Sequence, residues 1–477
     1  MENHKEINDI LPESMGLKRD MKGRHLLMIS IGGTIGSGLF MGIGHTIHTA
    51  GPLGAVLAYV VGGLVMYLVL LCLGELASAM PVSGSFATYA YRFISPAAGF
   101  ATGWIYWLSW ALCIAADFTV AGILMNAWVP EVPIYIWCGL FASFLSILNL
   151  LTVKAYGETE YWFASIKVIA IVAFIIAGAG LILGVGDNHP FIGLHNFHTG
   201  RGLFPNGISA VFMTMLVVVF SFQGTELVGI AAGECEDPRK NIPKVTKAVV
   251  FRIIIFFWLA VAVLAATIPF ENAGVLESPF AYVFGMTGIP YAKELMTFVV
   301  LTAALSSGNS GLYASSRLLW SMARQGQAPS WCAKLNAHGV PYIAILITII
   351  VACASLLTKA IAADTVYLFL ISSTGMAGCL SWVVIAVCQY RFRQEFLAGG
   401  GKIEQLVFKS PFFPITPILA IVLNIAVILG LYLDPSNRMM LYSSLLVIAA
   451  TYIIGILVEK RKPHPERFKS EGIKKAS

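Results

Sequence analysis

Ionisable side chains occur inside the apolar segments of this chain, where a charge is costly and therefore marks a candidate functional residue. Glu226 comes two residues after Gly224, in a stretch where the helix is expected to open. Its carboxylate could face a central site, where it would pair with a ligand amine or carry a proton. It could also satisfy backbone groups left unpaired beside the glycine. The position favours the functional interpretation.

Four further ionisable residues lie within or at the ends of such segments. Lys167 lies well inside its segment, where desolvation disfavours the ammonium and makes proton exchange easier. This favours proton coupling, with a structural link to a carbonyl or carboxylate as the alternative. Asp117 could line the same cavity or anchor a neighbouring helix, and Glu234 could belong to the pathway. Glu75, near the end of its segment, is expected to have a structural or gating role.

The first apolar segment is interrupted by the glycines at 32, 33, 36 and 38. Each interior glycine weakens a helix by about 0.5–1 kcal/mol relative to alanine, so the helix is expected to open here. Opened backbone at membrane depth must line a cavity or be buried in protein. Its unpaired amides suit an anion such as a carboxylate. Close helix packing through small residues is the alternative explanation.

A second interruption, at residues 220–226, lies in the sixth apolar segment. Five segments separate the two interruptions, and because five is odd, the units that contain them would have opposite orientations in the membrane. Paired interruptions of this kind are typical of transporters built from inverted repeats. The sequence therefore predicts repeats at about residues 25–185 and 208–389, with two segments outside them.

The composition is that of an integral membrane protein. Of the 477 residues, 57% are hydrophobic and 12% are charged, against about 25% charged in soluble proteins. The net charge of +6 comes from loops and tails, so it does not predict nucleic-acid binding. The eight cysteines show no CxxC pair and are interpreted as buried apolar residues rather than metal ligands. Without a P-loop, an HExxH motif or a nucleophile elbow, we predict neither a cofactor nor an enzyme activity.

Twelve apolar segments predict twelve transmembrane helices and an all-α fold. Most Lys and Arg residues fall on one side if the N-terminus is cytoplasmic, and four fall on the other: Arg201, Lys293, Lys359 and Arg438. The division of the chain is a cytoplasmic tail (1–24), a transport core (25–389), the last two helices with their preceding loop (390–459) and a cytoplasmic tail (460–477). The predicted segments are 25–48, 53–79, 97–127, 133–152, 159–185, 208–233, 247–269, 288–321, 340–358, 363–389, 413–432 and 438–459.

The chain resembles the amino acid permeases of the APC superfamily, in the bacterial branch that contains arginine/ornithine, lysine and S-methylmethionine permeases. The resemblance extends from about residue 17 to 460. One departure is Cys235, where relatives usually have serine. The matching stretches are residues 22–26, 31–40, 50–55, 74–76, 80–86, 160–163, 222–234 and 309–315.

This resemblance implies a LeuT-like inverted repeat of five plus five helices, followed by two extra helices, and proton-driven uptake. It assigns the substrate carboxylate to Thr34, Gly36, Ser37 and Gly38. It places the α-amino group at the opened backbone around Phe220, Ser221 and Gly224. Lys167 matches a lysine that replaces a sodium site in proton-coupled relatives, while Glu226 and Glu234 match acids used in coupling or substrate recognition.

We therefore expect a plasma-membrane importer that binds an amino acid and protons within the lipid bilayer and works by alternating access. The expected substrate is cationic or cation-like, such as arginine, ornithine, lysine or S-methylmethionine. Phe222 and Asp117 are expected to complete the binding site. An exchanger or facilitator of neutral amino acids and a non-transporting nutrient sensor remain the alternatives.

Overall fold

The computed structural model describes residues 21–150, 153–185, 191–198, 200–274, 278–433 and 438–461. The regular elements in these ranges are helices, which confirms the predicted all-α class. The α-helices in chain order are α1 (Gly23–Thr34), α2 (Ile43–Ala79), α3 (Ser85–Phe93), α4 (Pro96–Trp128), α5 (Ile134–Asn149), α6 (Val153–Leu183), α7 (Ser209–Met213), α8 (Met215–Phe222), α9 (Leu227–Ala231), α10 (Pro238–Thr267), α11 (Phe270–Ala273), α12 (Pro279–Met286), α13 (Ala292–Arg324), α14 (Tyr342–Ala352), α15 (Ala363–Ala398), α16 (Ile415–Gly430) and α17 (Arg438–Arg461).

Within the described ranges, nine helical runs are long and apolar enough to cross a membrane. Two shorter apolar helices, Ile134–Asn149 and Ile415–Gly430, match predicted segments as well. The first run, Gly23–Ala79, contains both the first and the second predicted segments. A multi-pass helical membrane protein is therefore confirmed, while the count of twelve and the inverted repeat stay predictions. The tails at 1–20 and 462–477 lie outside the described residues.

The boundary between the first two predicted segments is a bend at Gly51 and Pro52. Gly51 has φ 77° and ψ 172°, a conformation that side chains disfavour and glycine accepts. A Cβ at this position would also lie 2.5 Å from the ring of Pro205. The predicted boundary is therefore present as a kink within one continuous helix, Ile43–Ala79.

Several helices are longer than their apolar segments. α10 begins at Pro238 rather than at the predicted residue 247, and α15 continues to Ala398 rather than to residue 389. Pro238 occupies the first turn of α10, a position where proline is tolerated because its missing N–H would have no helical partner. Hydropathy indicates only the apolar part of a helix. The charged turns at the start of α10 and at the end of α15 were therefore not predicted.

The long helices α4 and α13 form the centre of the molecule. α13 packs against α4, α6 and α1, and α15 packs against α4 and α8. This arrangement surrounds the interruptions of the first and sixth predicted segments with buried side chains. Among the cysteines, Cys353 is partly exposed and the other seven are buried, and no disulfide joins any of them within the described ranges, in keeping with their interpretation as apolar residues.

Candidate functional site

The first helix opens where its glycines predicted. α1 ends at Thr34, and Ile35 departs from helical geometry with φ −82° and ψ 84°. A π-helical turn, Gly38–Gly42, then leads into α2. We call residues 35–38 the first break.

The second predicted interruption is also present. α8 ends at Phe222, and Gln223 is extended with φ −63° and ψ 143°. Gly224 follows with φ 106°, where a side chain would be strained, and the helix resumes at Leu227. We call residues 223–226 the second break.

The two breaks lie against each other, backbone to backbone. A Cβ at Gly224 would be 2.6 Å from the carbonyl carbon and oxygen of Gly33 and 2.8 Å from the amide nitrogen of Thr34. The Ser221 hydroxyl donates to the carbonyl of Gly38 at 2.9 Å. At Gly38 itself, a Cβ would be 2.9 Å from the Phe220 ring. The glycines therefore open the helices and also allow close packing, while an anion site at the opening stays a prediction.

Glu226 is fully buried at the second break and is held by neutral donors. The Tyr106 hydroxyl from α4 donates to one carboxylate oxygen at 2.7 Å, and the indole N–H of Trp382 from α15 donates to the other at 3.3 Å. The Gly224 amide lies 3.2 Å from both oxygens, and the Thr225 hydroxyl 3.5 Å from one. These bonds orient the carboxylate and leave its charge available to a cationic ligand or to a proton.

The side chains at the first break are already engaged within the protein. Ser37 donates to Asp117 Oδ1 at 2.5 Å, and the Thr34 hydroxyl donates to the carbonyl of Ser30 at 2.6 Å. Tyr367 donates to the carbonyl of Ser37 at 3.0 Å. Both hydroxyls are therefore used within the protein. The peptide N–H groups of Ile35 and Gly36 also donate, to the carbonyls of Ile31 at 2.9 Å and Thr34 at 3.1 Å, so an anion at the first break would have to displace these contacts.

Asp117 joins this break from α4. Besides the bond from Ser37, its carboxylate lies beside Gly36, where a Cβ would be 3.8 Å from Oδ1. Its other oxygen, Oδ2, is buried and has no hydrogen-bond partner within the described ranges. The structure therefore places Asp117 against the first break, and Glu226 within the second.

Lys167 links α6 to the first helix. Its fully buried ammonium donates to the carbonyl oxygen of Gly32 at 2.5 Å, at the end of α1 where carbonyl groups lack helical partners. Asp117 and Glu160 are the buried acids that act on it electrostatically. The link to a carbonyl, one of the two possibilities considered from the sequence, is present, and proton coupling stays a prediction.

Glu160 is a fully buried acid of α6, and in the sequence it stands out only as the first residue of the matching stretch 160–163. Its carboxylate accepts hydrogen bonds from Ser306 Oγ and from Asn309 Nδ2, the latter at 3.2 Å. The available signal was its spacing, because Glu160 precedes Lys167 by two helical turns and so shares its face of α6. Asn309 is thus a hydrogen-bond donor to a buried carboxylate.

Two other predicted site residues lie away from the Glu226 carboxylate. Phe222 stacks on Phe257 with ring centroids 4.8 Å apart and contacts Tyr59, which places its ring in a packed aromatic cluster. Glu234 follows α9 and accepts from Arg317 Nε at 3.3 Å, in a pair that is buried on both sides. The roles predicted for Phe222 and Glu234 stay predictions.

The segment around Glu234 is also tied to the start of the described chain. The amide of Met21 donates to the carbonyl of Glu234 at 3.1 Å, and the amide of Glu236 donates to the carbonyl of Met21 at 2.8 Å. The guanidinium of Arg317 lies 4.1 Å above the ring of Tyr313. These contacts join the segments before α1 and after α9 to α13.

Glu75 makes a different kind of buried contact. It is paired with Arg393 of α15, through Nε at 2.7 Å and through a second guanidinium nitrogen. It also accepts from the amide of Ser410 at 2.7 Å and from Gln389 at 3.1 Å. Glu75 therefore holds α2, α15 and the segment before α16 together, in agreement with the structural role expected for it.

The chain matches known proteins over nearly its whole length. A model of the amino acid permease family matches residues 25–466. Amino-acid permease RocE of Bacillus subtilis is 50% identical over 94% of this chain and 97% of its own length. Lysine-specific permease LysP of Escherichia coli is 44% identical over 88% of this chain and 87% of its own. Histidine permease HisP of Lactococcus lactis is 42% identical over 88% and 89%, respectively.

Proposed function

This chain belongs to the amino acid permease family, and on that basis we propose that it imports a cationic amino acid together with protons. The membership makes it a transporter rather than an enzyme, with an amino acid as its small-molecule substrate and a membrane as its location. The proposal adds the substrate charge, the coupling ion and the direction of transport.

The observation that carries the proposal is the Glu226 carboxylate with its neutral donors. A substrate ammonium, guanidinium or imidazolium group at the second break would supply the opposite charge that this buried carboxylate lacks. Charge-assisted hydrogen bonds of this kind contribute about 1.5–3 kcal/mol. The names of two relatives, a lysine-specific and a histidine permease, agree with a basic substrate.

The constant part of the substrate would be bound by backbone. The peptide groups at Thr34, Gly36, Ser37 and Gly38 would hold the α-carboxylate, because amides at the start of a helix favour an anion. The α-amino group would bind near Phe220, Ser221 and Gly224, with Asp117 and Phe222 completing the surroundings. Such a site recognises any amino acid, which leaves selectivity to the groups around Glu226.

Proton coupling is assigned to Lys167, with Glu226 and Glu234 as the acids along the pathway. Lys167 places a titratable cation on the carbonyl of Gly32 at the end of α1, where another transporter would hold a sodium ion. Release of its proton would remove the charge that holds α1 and α6 together. The opening of the first helix would thereby depend on the proton.

The proposed architecture is twelve transmembrane helices, with a LeuT-like inverted repeat of five plus five and two C-terminal helices. The protein lies in the plasma membrane. Both termini lie in the cytoplasm, as the distribution of basic residues predicts. One helical unit would rock against the other around the two breaks, in the manner of alternating access.

Uptake into proteoliposomes tests the proposal. Every amino acid and S-methylmethionine is offered as a competitor of labelled lysine, with and without an inward proton gradient. We expect basic amino acids to compete best and the gradient to drive accumulation. Uptake that ignores the gradient and a protonophore would identify an exchanger or facilitator instead.

A lysine variant tests the assigned coupling site. Lys167→Ala removes the titratable group, so we expect uptake to lose its response to the pH gradient while exchange at equal pH persists. Lys334→Ala, at an exposed lysine, is the matched control and is expected to retain the wild-type response. An undiminished pH response in Lys167→Ala would remove Lys167 from the coupling mechanism.

A further inference from the structure

We infer that Glu160 is a proton-relay residue, which takes the proton released by Lys167 and passes it to water on the Glu234 side of α6 and α13. The inference rests on the proton coupling proposed above and adds the residue that receives the proton. It gives a role to a buried carboxylate that substrate binding does not use.

Glu160 and Lys167 meet at a single residue, Gly32. The Lys167 ammonium donates to the Gly32 carbonyl at 2.5 Å. The Glu160 carboxylate occupies the space beside the Gly32 Cα, where any Cβ would collide with Oε1. The proton donor, the Lys167 ammonium, and the proton acceptor, the Glu160 carboxylate, therefore both lie beside Gly32 at the end of α1. A movement of α1 at the first break changes the surroundings of both groups at once.

The partners of Glu160 suit a group that changes its protonation state. Ser306 and Asn309 donate to the carboxylate, and Asn309 in turn accepts from Asn149 Nδ2 at 2.6 Å. A hydroxyl can donate to the carboxylate and can accept from the protonated acid, so Ser306 serves both states. Glu75, by contrast, is fixed in its charged state by a guanidinium.

Polar side chains continue from Glu160 along one face of each helix. Tyr156 precedes Glu160 by one turn of α6, and its hydroxyl donates to Ser310 at 3.4 Å. The Tyr156 ring stacks on Tyr313 of α13, with centroids 4.5 Å apart and planes 6° apart. Arg317, one turn further, lies over Tyr313 and pairs with Glu234. This series ends beside Met21, on the side proposed as cytoplasmic.

The titratable groups around the relay come from several helices. Asp117 of α4 acts on Lys167, and Tyr156 of α6 acts on Glu160. His25 of α1 lies against Gly157, one turn below Glu160, and pairs with Glu158 at 3.1 Å. Arg317 and Glu234 interact with Tyr156 at the far end of the series.

The proposed step balances as a simple proton transfer. An N–H bond of the Lys167 ammonium breaks and an O–H bond forms on the Glu160 carboxylate, which leaves a neutral amine and a neutral acid. The acid then loses its proton to water that enters from the Glu234 side when that side opens. The amine takes up a new proton when the site faces the opposite side.

The test compares proton movement with substrate exchange in proteoliposomes that contain the pH indicator pyranine. For Glu160→Gln we expect lysine-driven proton movement to fall at least about tenfold, since a positioned proton-transfer group contributes about 10²–10⁴-fold to a rate. Lysine counterflow at equal pH needs no net proton transfer, so it should stay within about twofold of wild type. Glu160→Asp, which keeps the acid, should recover part of the proton movement.

Glu158→Gln is the matched control, because Glu158 lies on the same helix, half-exposed and paired with Arg24 at 2.6 Å. It should leave both measurements unchanged. Wild-type proton movement in Glu160→Gln would overturn the relay. Absence of lysine-driven proton movement in the wild-type protein is a different result, which would overturn the proposed coupling itself. If Glu160→Gln does not yield monodisperse protein, Ser306→Ala replaces it, and unchanged proton movement in that variant would also overturn the relay.

Discussion

Glu75 and Glu226 are buried glutamates in apolar helices, yet their surroundings differ in one respect. Glu75 receives a guanidinium, an amide side chain and a peptide N–H, so its charge is compensated within the protein. Glu226 receives a phenol, an indole, a hydroxyl and a peptide N–H, all of them neutral. Burial alone therefore does not distinguish Glu75 from Glu226, whereas the charge of their hydrogen-bond donors does.

The largest effect is expected for Glu75→Gln, which leaves the Arg393 guanidinium buried without its counter-ion. Breaking a buried ion pair from one side costs about 3–5 kcal/mol. We expect a large fall in the temperature at which the detergent-solubilised protein loses its monodisperse peak. The double variant Glu75→Gln/Arg393→Gln removes both charges and should recover much of the loss. Equal damage in the single and double variants would contradict a structural ion pair.

A large loss of transport with little loss of stability is expected for Glu226→Gln. The amide oxygen can still accept from Trp382 while the NH2 group donates to the Tyr106 hydroxyl, but the side chain no longer attracts a cation. Losing a charge-assisted hydrogen bond of about 1.5–3 kcal/mol corresponds to a fall of about 10- to 150-fold in the kcat/KM of lysine uptake. The thermal stability, measured as for Glu75, should change by less than about 1 kcal/mol. Wild-type lysine uptake would make Glu226 another structural acid.

A smaller effect is expected for Tyr106→Phe, which removes one neutral donor and keeps the carboxylate. A single hydrogen bond contributes about 0.5–1.5 kcal/mol, so kcat/KM should fall roughly three- to tenfold. Trp382→Phe removes a longer bond, 3.3 Å against 2.7 Å, and should cost less. The uptake kinetics of both variants show which substitution lowers kcat/KM more. The reverse order would show that the indole, rather than the phenol, orients the carboxylate.

Both helix breaks could be predicted from the sequence, because glycine in an apolar helix has a local and additive cost. The glycines at 32–38 and at 224 lie where the helices open. The fact that the breaks contact each other could not be predicted, since it depends on how two segments distant in the chain pack. The same limit applies to Thr34 and Ser37, whose hydroxyls are bound to Ser30 and Asp117 instead of being free for a ligand.

Of the buried acids Glu226 and Glu160, only Glu226 could be predicted from the sequence as a candidate functional residue. Glu226 stands out in the sequence because a glycine break precedes it, whereas Glu160 follows Tyr156-Gly157-Glu158-Thr159, which looks like the polar start of a helix. α6 begins at Val153, earlier than the predicted residue 159, so Glu160 lies inside the helix rather than at its beginning. Because hydropathy placed the start of this helix a few residues too late, the fully buried Glu160 carboxylate was not predicted.

The contact between Gly224 and the peptide of Gly33 consists of main-chain atoms, which every residue type supplies. Substitution there cannot improve the contact and can only obstruct it, so selection is expected to hold these positions at glycine. Tyr106 and Trp382 are free of that constraint, because they contribute through replaceable side chains. Within a lineage, the range of substrates can therefore diverge through the residues around Glu226 while the joint between the two broken helices stays the same.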